Sequence, residues 1–350
     1  MRLNKPDALA FVSERAEIFD AVPNAFGKTA WLLHFIEQVI DPNWELIVSE
    51  SLVRGESVML LYDDGRGVKS LANYYSGLWS PAATTTQQAP LRHMVELLRR
   101  YPSINFGPLD DAAPATMALQ HALASQRWYV RPYTAHANWY LPGRPYAEYL
   151  SQRDSQLRNT ISRKGKKFPG ELRIVTSPDE VDAAMDAYDA VYARSWKVPE
   201  PYPNFVRGWA RICAENGWLR LGIATLDGAP IAAHFWFVVD GVASIFKLAY
   251  DEEHSKLSAG TLLTAMLMQH VLDVDRVSEV DFLSGDDPYK AAWMTHRRER
   301  IGFMACNLRT VRGASRAAFE WVGELRQRLS RRHETPRGAP VTMDGTPDSR

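Results

Sequence analysis

The residues whose types and spacing invite chemistry fall within one stretch, Val242–Trp293. Near its end, Ser284-Gly285-Asp286-Asp287-Pro288-Tyr289-Lys290 packs two carboxylates, a phenol and an ammonium into seven positions. A phenol can protonate a leaving group, and an aspartate can take a proton from a nucleophile or hold its ammonium form. The same string also reads as a helix start, with an aspartate cap and proline in the first turn. Lys290 suits either a ligand phosphate or an aspartate partner. Upstream, His234 is a base whose ordinary pKa suits neutral pH, or a core histidine satisfied by its neighbours.

Three elements must position these groups. Val242–Tyr250 has the β-branched and aromatic content of a strand. Ser258 reads as an N-cap, and Thr261–Val274 carries no charge before Asp273. A helix apolar on nearly every side is a buried helix, and this one is too short to span a bilayer. Val280–Leu283 is a short strand that delivers the polar string at its C-terminal end, where ligands settle in open α/β sheets. The first turn, Ser258-Ala259-Gly260-Thr261, presents unpaired backbone amides and the positive end of the helix dipole. That is a seat for a phosphate or pyrophosphate, to which Lys256 adds a point charge. Ser258 and Gly260 are small enough for a ligand to reach the main chain.

Composition narrows the class. The chain has 350 residues, 46% hydrophobic and 23% charged, which predicts an ordinary globular protein of two domains. Lys plus Arg and Asp plus Glu number 41 each, so no global field selects nucleic acid as the partner. Cys213 and Cys306 cannot build a disulfide framework, and no metal-ligand spacing is present, so no metal is expected. No signal peptide or transmembrane run stands out; the expectation is a soluble, cytoplasmic protein.

In chain order, helical spacing predicts helices over Pro6–Phe19 and Thr29–Ile40. Strands follow at Trp44–Leu52 and Ser57–Tyr62 around an Arg54-Gly55-Glu56 turn, then at Val68–Leu78. Leu91–Arg100 and Ala113–Ala124 are helices flanking a strand at Ile104–Phe106, and Trp128–Leu141 alternates like an edge strand. The second half repeats this order, with helices at Val181–Trp196 and Asn204–Asn216 and strands at Leu219–Leu226 and Pro230–Val239. Tyr75 then corresponds to Tyr250, Phe106 to Phe282 and Asp110-Asp111 to Asp286-Asp287, at a spacing of about 175 residues. Duplication of one α/β unit explains that spacing, as does chance likeness of two α/β halves. The first copy has nothing like Tyr289-Lys290, which fits it for shaping a cleft rather than for reaction.

Between the halves, Pro142–Gly170 carries Arg153, Arg158, Arg163, Lys164, Lys166 and Lys167. This is a solvated linker helix or a clamp on an anionic ligand, with Arg158 and Lys164 as its substrate-binding members. Ile301–Val311 reads as a strand and Ser315–Arg332 as an amphipathic covering helix. The composition from His333 to Arg350 predicts a disordered tail.

The order of strand, anion-binding turn, buried helix, strand and acidic Tyr-Lys loop resembles the GNAT acyltransferase superfamily. It is similar in particular to the branch named after cellulose-biosynthesis acetyltransferases and, more distantly, to FemAB-like aminoacyl transferases. The residues that carry this are Ala249-Tyr250-Asp251, Ser258-Ala259-Gly260, and Asp281-Phe282-Leu283-Ser284-Gly285-Asp286-Asp287-Pro288-Tyr289-Lys290 with Trp293. The likeness covers about residues 146–303 and implies α/β architecture in two tandem GNAT-like domains, each a mixed twisted sheet flanked by helices. The boundaries would be 1–145 for a non-catalytic domain, 146–312 for the acyltransferase domain, 313–332 for the C-terminal helix and 333–350 for the tail.

The resemblance implies transfer of an acyl group, expected to be acetyl, from acyl-CoA to an amine or hydroxyl of a small polar acceptor or cell-surface precursor. Tyr289 would protonate the departing thiolate, and Asp286, Asp287 or His234 would serve as base or hold the acceptor. Backbone at Leu248, Ala249 and Tyr250 would pair with the pantetheine arm like an added strand. The usual pyrophosphate turn reads Gln/Arg-x-x-Gly-x-Gly/Ala, of which Ser255–Gly260 keeps only the final glycine. An aminoacyl-tRNA donor therefore stays open, with the basic Arg158–Lys167 helix touching RNA. A third alternative is a GNAT-fold binding protein without chemistry.

Overall fold

The computed structural model of the chain describes residues 1–51, 57–83 and 88–333. It opens with β1 (Arg2–Leu3), α1 (Lys5–Glu14), α2 (Ala16–Asp20) and α3 (Thr29–Val39). The single leading helix expected from spacing is broken at Arg15, whose guanidinium stacks 3.9 Å from the Phe11 ring and pairs with Glu50 at 2.7 Å. Next come β2 (Glu45–Ser51), β3 (Ser57–Asp63), β4 (Val68–Ser70), β5 (Ala82–Ala83), α4 (Gln88–Leu97), β6 (Ser103–Asp110), α5 (Pro114–Ala124) and β7 (Trp128–Pro142). β2 and β3 form the antiparallel pair expected, while the Arg54-Gly55-Glu56 turn lies outside the described residues.

The strand expected over Val68–Leu78 ends at Ser70. Asn73 ends it by side-chain competition: its Oδ1 accepts from the Tyr75 amide at 2.9 Å, and its carbonyl accepts from the Ser76 amide at 2.9 Å.

The second half contains α6 (Tyr146–Ser151), α7 (Ser155–Gly165), β8 (Glu171–Val175), α8 (Pro178–Ala193), α9 (Phe205–Glu215), β9 (Leu219–Leu226), β10 (Ala229–Val239) and β11 (Val242–Tyr250). It ends with α10 (Ala259–Gln269), β12 (Glu279–Ser284), α11 (Pro288–Trp293), β13 (His296–Asn307) and α12 (Val311–His333). The tail expected to be disordered lies outside the described residues beyond His333. β8 had no expectation, and β13 begins five residues before its expected start.

The strands form one mixed sheet in the order β1-β2-β3-β4-β6-β13-β7-β12-β11-β10-β9-β8, with β5 beside β3. Each half contributes one parallel pair joined through a helix: β4 with β6 across α4, and β11 with β12 across α10. The ends of the halves are exchanged. β13, late in the chain, lies between β6 and β7, while β7 pairs with β12.

β7 is therefore an interior strand and not the edge its alternation suggested. Its polar side chains have partners within the protein instead of solvent. Asn138 is 1% exposed and bonds Asp281 at 2.6 Å, and Tyr133 donates to Asn105 at 2.5 Å.

Helices cover both faces. Along β10, alternation sends Ala233, Phe235 and Phe237 towards α3, α8 and α9, and sends Ala232, His234 and Trp236 towards α10. The first face is a single apolar core running through both halves. Trp31 on α3 meets Trp209 on α9 edge-to-face at 4.8 Å, both fully buried.

Candidate active site

β11 and β12 pair only from Val242/Glu279 to Ser244/Asp281, then part, although β11 continues to Tyr250. A bulge at Phe246, between Ile245 and Lys247 opposite Trp236 and Phe235, bends β11 where the split begins. A cavity of about 830 Å³ fills the gap. Its lining includes Leu248, Tyr250, Ser258, Ala259, Gly260 and Thr261 on the side of β11 and α10. His234, Asp287, Tyr289 and Lys290 line it as well. The turn at Gly260 and the phenol of Tyr289 thus face one space.

The polar loop is aimed by a backbone turn that sequence does not announce. Leu283 has φ +52° and Gly285 φ +127°, and β12 slips its register against β7 between Asp281 and Ser284. A buried network holds this shape. Asp281 Oδ1 accepts from the Leu283 amide at 2.6 Å and from Asn138 at 2.6 Å, while Arg298 donates to Asp281 at 3.0 Å and to Asn138 at 2.6 Å. At Gly285 a Cβ would stand 2.8 Å from the Lys290 ammonium, which donates to the carbonyls of Phe282 and Ser284.

The two aspartates separate. Asp287 caps α11 through the Lys290 amide at 3.2 Å and faces the cavity. Asp286 is turned out of the cavity. It accepts from Trp139 at 2.8 Å and pairs with Arg297 at 2.8 Å, and the Arg297 hydrogen bond, then that from Trp139, hold its carboxyl below the usual range.

Tyr289 packs edge-on against Phe282 at 6.0 Å. Although 38% of the residue is exposed, its hydroxyl lies 2.9 Å from Oγ1 of the fully buried Thr264. Burial, partly offset by that bond, pushes the phenol up to about 12. Thr264 Oγ1 also meets His234 Nδ1 at 3.2 Å. Burial, and then the charge of Lys197, bring His234 down to about 3, so it is neutral at physiological pH. A continuous chain, His234–Thr264–Tyr289, runs beneath the cavity floor.

α10 begins at Ala259 with Ser258 in the left-handed region (φ +59°), where its side chain does not cap the helix as expected. Missing that cap, the first-turn amides face the cavity without a side-chain acceptor from Ser258. A Cβ at Gly260 would meet His234 Nε2 at 3.5 Å and Tyr250 at 3.7 Å, both ordinary contacts. The helix expected to run to Val274 turns π-helical over His270–Val274.

The remaining expected residues lie off the cavity. Ala249 is fully buried behind the strand. The Lys256 carbonyl accepts from Lys164 at 2.7 Å, which ties α7 to the loop before α10. Arg158 is exposed on α7.

Sequence reasoning missed the opposite wall. Tyr74 and Tyr75 from the first half, Lys247 from β11, and Trp196 and Lys197 from the α8–α9 loop line it. Glu200 ties that wall together, bonding Lys247 at 2.5 Å, Tyr74 at 2.7 Å and Tyr75 at 2.8 Å. Burial works to raise the Glu200 carboxyl, but the bonds from Lys247 and Tyr74 outweigh it and hold it below the usual range. One signal existed for Thr264: it is a hydroxyl one turn after Gly260 in an otherwise apolar helix. For Glu200 there was none.

Residues 155–291 match the family model for an acetyltransferase (GNAT) domain. Among solved structures, FemX superposes with a TM-score of 0.59 at 10% identity, covering 88% of this chain and 97% of FemX. The C-terminal domain of a protein described as a lysylphosphatidylglycerol synthetase, from Agrobacterium fabrum, gives 0.57 at 14% identity, with 85% and 92% covered. L-PGS from Bacillus licheniformis gives 0.53 at 11% identity, with 89% and 95% covered. At such identities these likenesses speak for the fold alone. No curated protein matches the chain. Residues 155–291 thus match a GNAT acetyltransferase domain, and the chain as a whole shares the fold of FemX. Among the described residues, no helix is long and apolar enough to cross a membrane, and no group of three or more His, Cys, Asp or Glu could hold a metal.

Proposed function

We propose that the protein transfers an acyl group, acetyl in the simplest case, from acyl-CoA to an amine or hydroxyl of a polar metabolite or cell-surface precursor. The observation behind this reading is that the Gly260 turn and the Tyr289 phenol share one cavity where β11 and β12 part. In this reading the amides of Ala259–Thr261 hold the donor's pyrophosphate, with Ser258 beside them. The pantetheine arm pairs with β11 at Leu248–Tyr250, beyond the last residue joined to β12. The N-terminal residues 1–145 form a non-catalytic unit that walls the cavity with Tyr74 and Tyr75.

The acceptor nitrogen or oxygen attacks the thioester carbonyl, the C–S bond breaks, and the thiolate takes the proton of Tyr289. The tyrosinate takes a proton back from solvent through the open cavity, and until then the Thr264 hydroxyl, which lies between Tyr289 and the neutral His234, donates a hydrogen bond to it. Asp287 holds the acceptor's ammonium and receives the proton it gives up before attack. A neutral His234 with so low a pKa positions Thr264 and is not the base.

A second donor, aminoacyl-tRNA, has one specific observation in its favour. The basic helix α7 is tied to the loop before α10 by Lys164 and leaves Arg158 exposed beside it. Calorimetry with acetyl-CoA and with a charged tRNA separates the two. Micromolar binding of acetyl-CoA with silence from tRNA supports the first reading, and the reverse result supports the second. Silence with both would leave a binding protein.

A further inference from the structure

The cavity holds three lysines, two of which are engaged. Lys247 is neutralised by Glu200 at 2.5 Å and stands 4.7 Å from the Tyr75 ring centroid. Lys290 is spent on two backbone carbonyls, those of Phe282 and Ser284. Lys197 has neither kind of partner. Among the described residues its ammonium makes no hydrogen bond or ion pair, and its one aromatic neighbour is the Trp196 ring at 5.7 Å. A partly buried ammonium without an anion is unfavourable, and a structure that keeps one beside a cavity has a place for the missing charge.

The loop bearing Lys197 is fixed at both ends. Arg194 pairs with Asp251 at 2.8 Å and donates to the Pro230 carbonyl at 2.6 Å on one side, and Glu200 binds Lys247, Tyr74 and Tyr75 on the other. Lys197 is therefore held in place over the cavity. The charged groups it feels are Lys247, Glu200 and Lys290, and its own charge reaches His234, whose ring lies beside Gly260. The cavity thus holds two positive features, the helix-start amides of Ala259–Thr261 and an ammonium without an anion.

We infer that the acceptor carries an anionic group, a carboxylate or a phosphate, that seats on the ammonium of Lys197. This rests on the acyl-transfer reading, since that reading assigns the Gly260 turn to the donor and leaves the unpaired ammonium of Lys197 to the other substrate. A lysine serves either anion as a point charge, so the two are told apart by ligand and not by geometry. Burial, and then the neighbouring charge of Lys247, bring Lys197 down to about 8, so the seat is mostly charged at neutral pH and empties of charge in mild alkali.

The test is calorimetric titration of the whole protein with inorganic phosphate and with glutarate, in the presence of saturating coenzyme A. Wild type, Lys197→Met, Lys197→Arg and Gly260→Asp are compared, and acetyl-CoA is titrated separately into each. The expected result is binding of at least one anion to coenzyme A-loaded wild type, weakened tenfold or more in Lys197→Met and restored to within about threefold in Lys197→Arg. Which of the two anions binds tells phosphate from carboxylate. Acetyl-CoA affinity should be unchanged in Lys197→Met and lost in Gly260→Asp. The inference is overturned if neither anion binds wild type, if Lys197→Met binds them equally well, or if coenzyme A or the Lys197→Met change shows the seat to be the donor's. The acyl-transfer reading fails by a different sign, namely acetyl-CoA not binding the wild type at all.

Discussion

The hydroxyl of Tyr289 stands 2.9 Å from that of Thr264, although 25 residues separate them and one belongs to a helix with no charged side chain. The contact turns an exposed-looking tyrosine at the start of α11 into the end of a hydrogen-bond chain that runs through Thr264 to buried His234. Its consequences can be measured.

Tyr289→Phe removes a proton and little contact area, so turnover should fall at least tenfold with the dissociation constant for the donor nearly unchanged. Thr264→Val removes the link behind it and should also lower turnover several-fold. Because the two act as one unit, the double variant should be no slower than Tyr289→Phe alone. Single-turnover kinetics would check this, and additive losses would dissolve the chain.

Gly260 separates space from charge. A methyl group there makes only ordinary contacts with His234 and Tyr250, so Gly260→Ala should fold and retain the melting temperature within a few degrees. Gly260→Asp places a negative side chain beside the proposed pyrophosphate seat and should abolish donor binding. An unaltered dissociation constant in Gly260→Asp would remove this turn from the site.

His234 makes the fold sensitive to acid. Its folded pKa of about 3 lies below the ordinary 6.5, so the unfolded chain binds a proton that the folded chain refuses. Stability from this residue is complete above pH 6.5 and is lost as pH falls towards 3. The contribution should approach about 1.4 kcal/mol per pH unit within that window. Urea unfolding at pH 7, 6, 5 and 4 should show a shallower decline in His234→Gln than in wild type.

Glu200 joins the halves at the cavity wall. With both partners mostly buried, Glu200→Ala leaves Lys247 charged without its anion and should cost about 3 kcal/mol. Glu200→Gln keeps acceptor and donor atoms and should cost less, which chemical denaturation can compare directly.

Trp209→Ala empties a site where Trp31, Phe237 and Trp218 meet, and should cost about 3–5 kcal/mol. Because Trp31 belongs to the first half, the loss should lower one shared unfolding transition, not split it in two. Differential scanning calorimetry reads either outcome.

What the sequence made legible is local. The order of β11, α10, β12 and α11 was readable because each element declares itself through spacing, and the Gly260 turn and Tyr289 are brought to one cavity by that order. The opposite wall was not legible, since Tyr75 meets Glu200 across 125 residues and Lys247 meets Glu200 across 47. No periodicity encodes a contact between loops. β7 misled for a related reason: its alternation of polar and apolar residues is the pattern of a solvated edge, and only the network of Asn138, Asp281 and Arg298 shows its polar side chains satisfied inside. Ser258 has the identity of a helix cap but takes a left-handed backbone, because a short 3-10 turn, Glu252–Leu257, runs straight into α10.

The exchange of β13 and β7 has a bearing on how the chain is made. A ribosome releases β6 and β7 long before β13, so the first half waits with a gap between those strands for some 150 residues of further synthesis. Until His296–Asn307 emerges and threads into place, each half lacks a strand it borrows from the other. Neither half is therefore a sound candidate for expression alone, and a nascent chain stalled before Thr295 would present two unmatched strand edges to its surroundings.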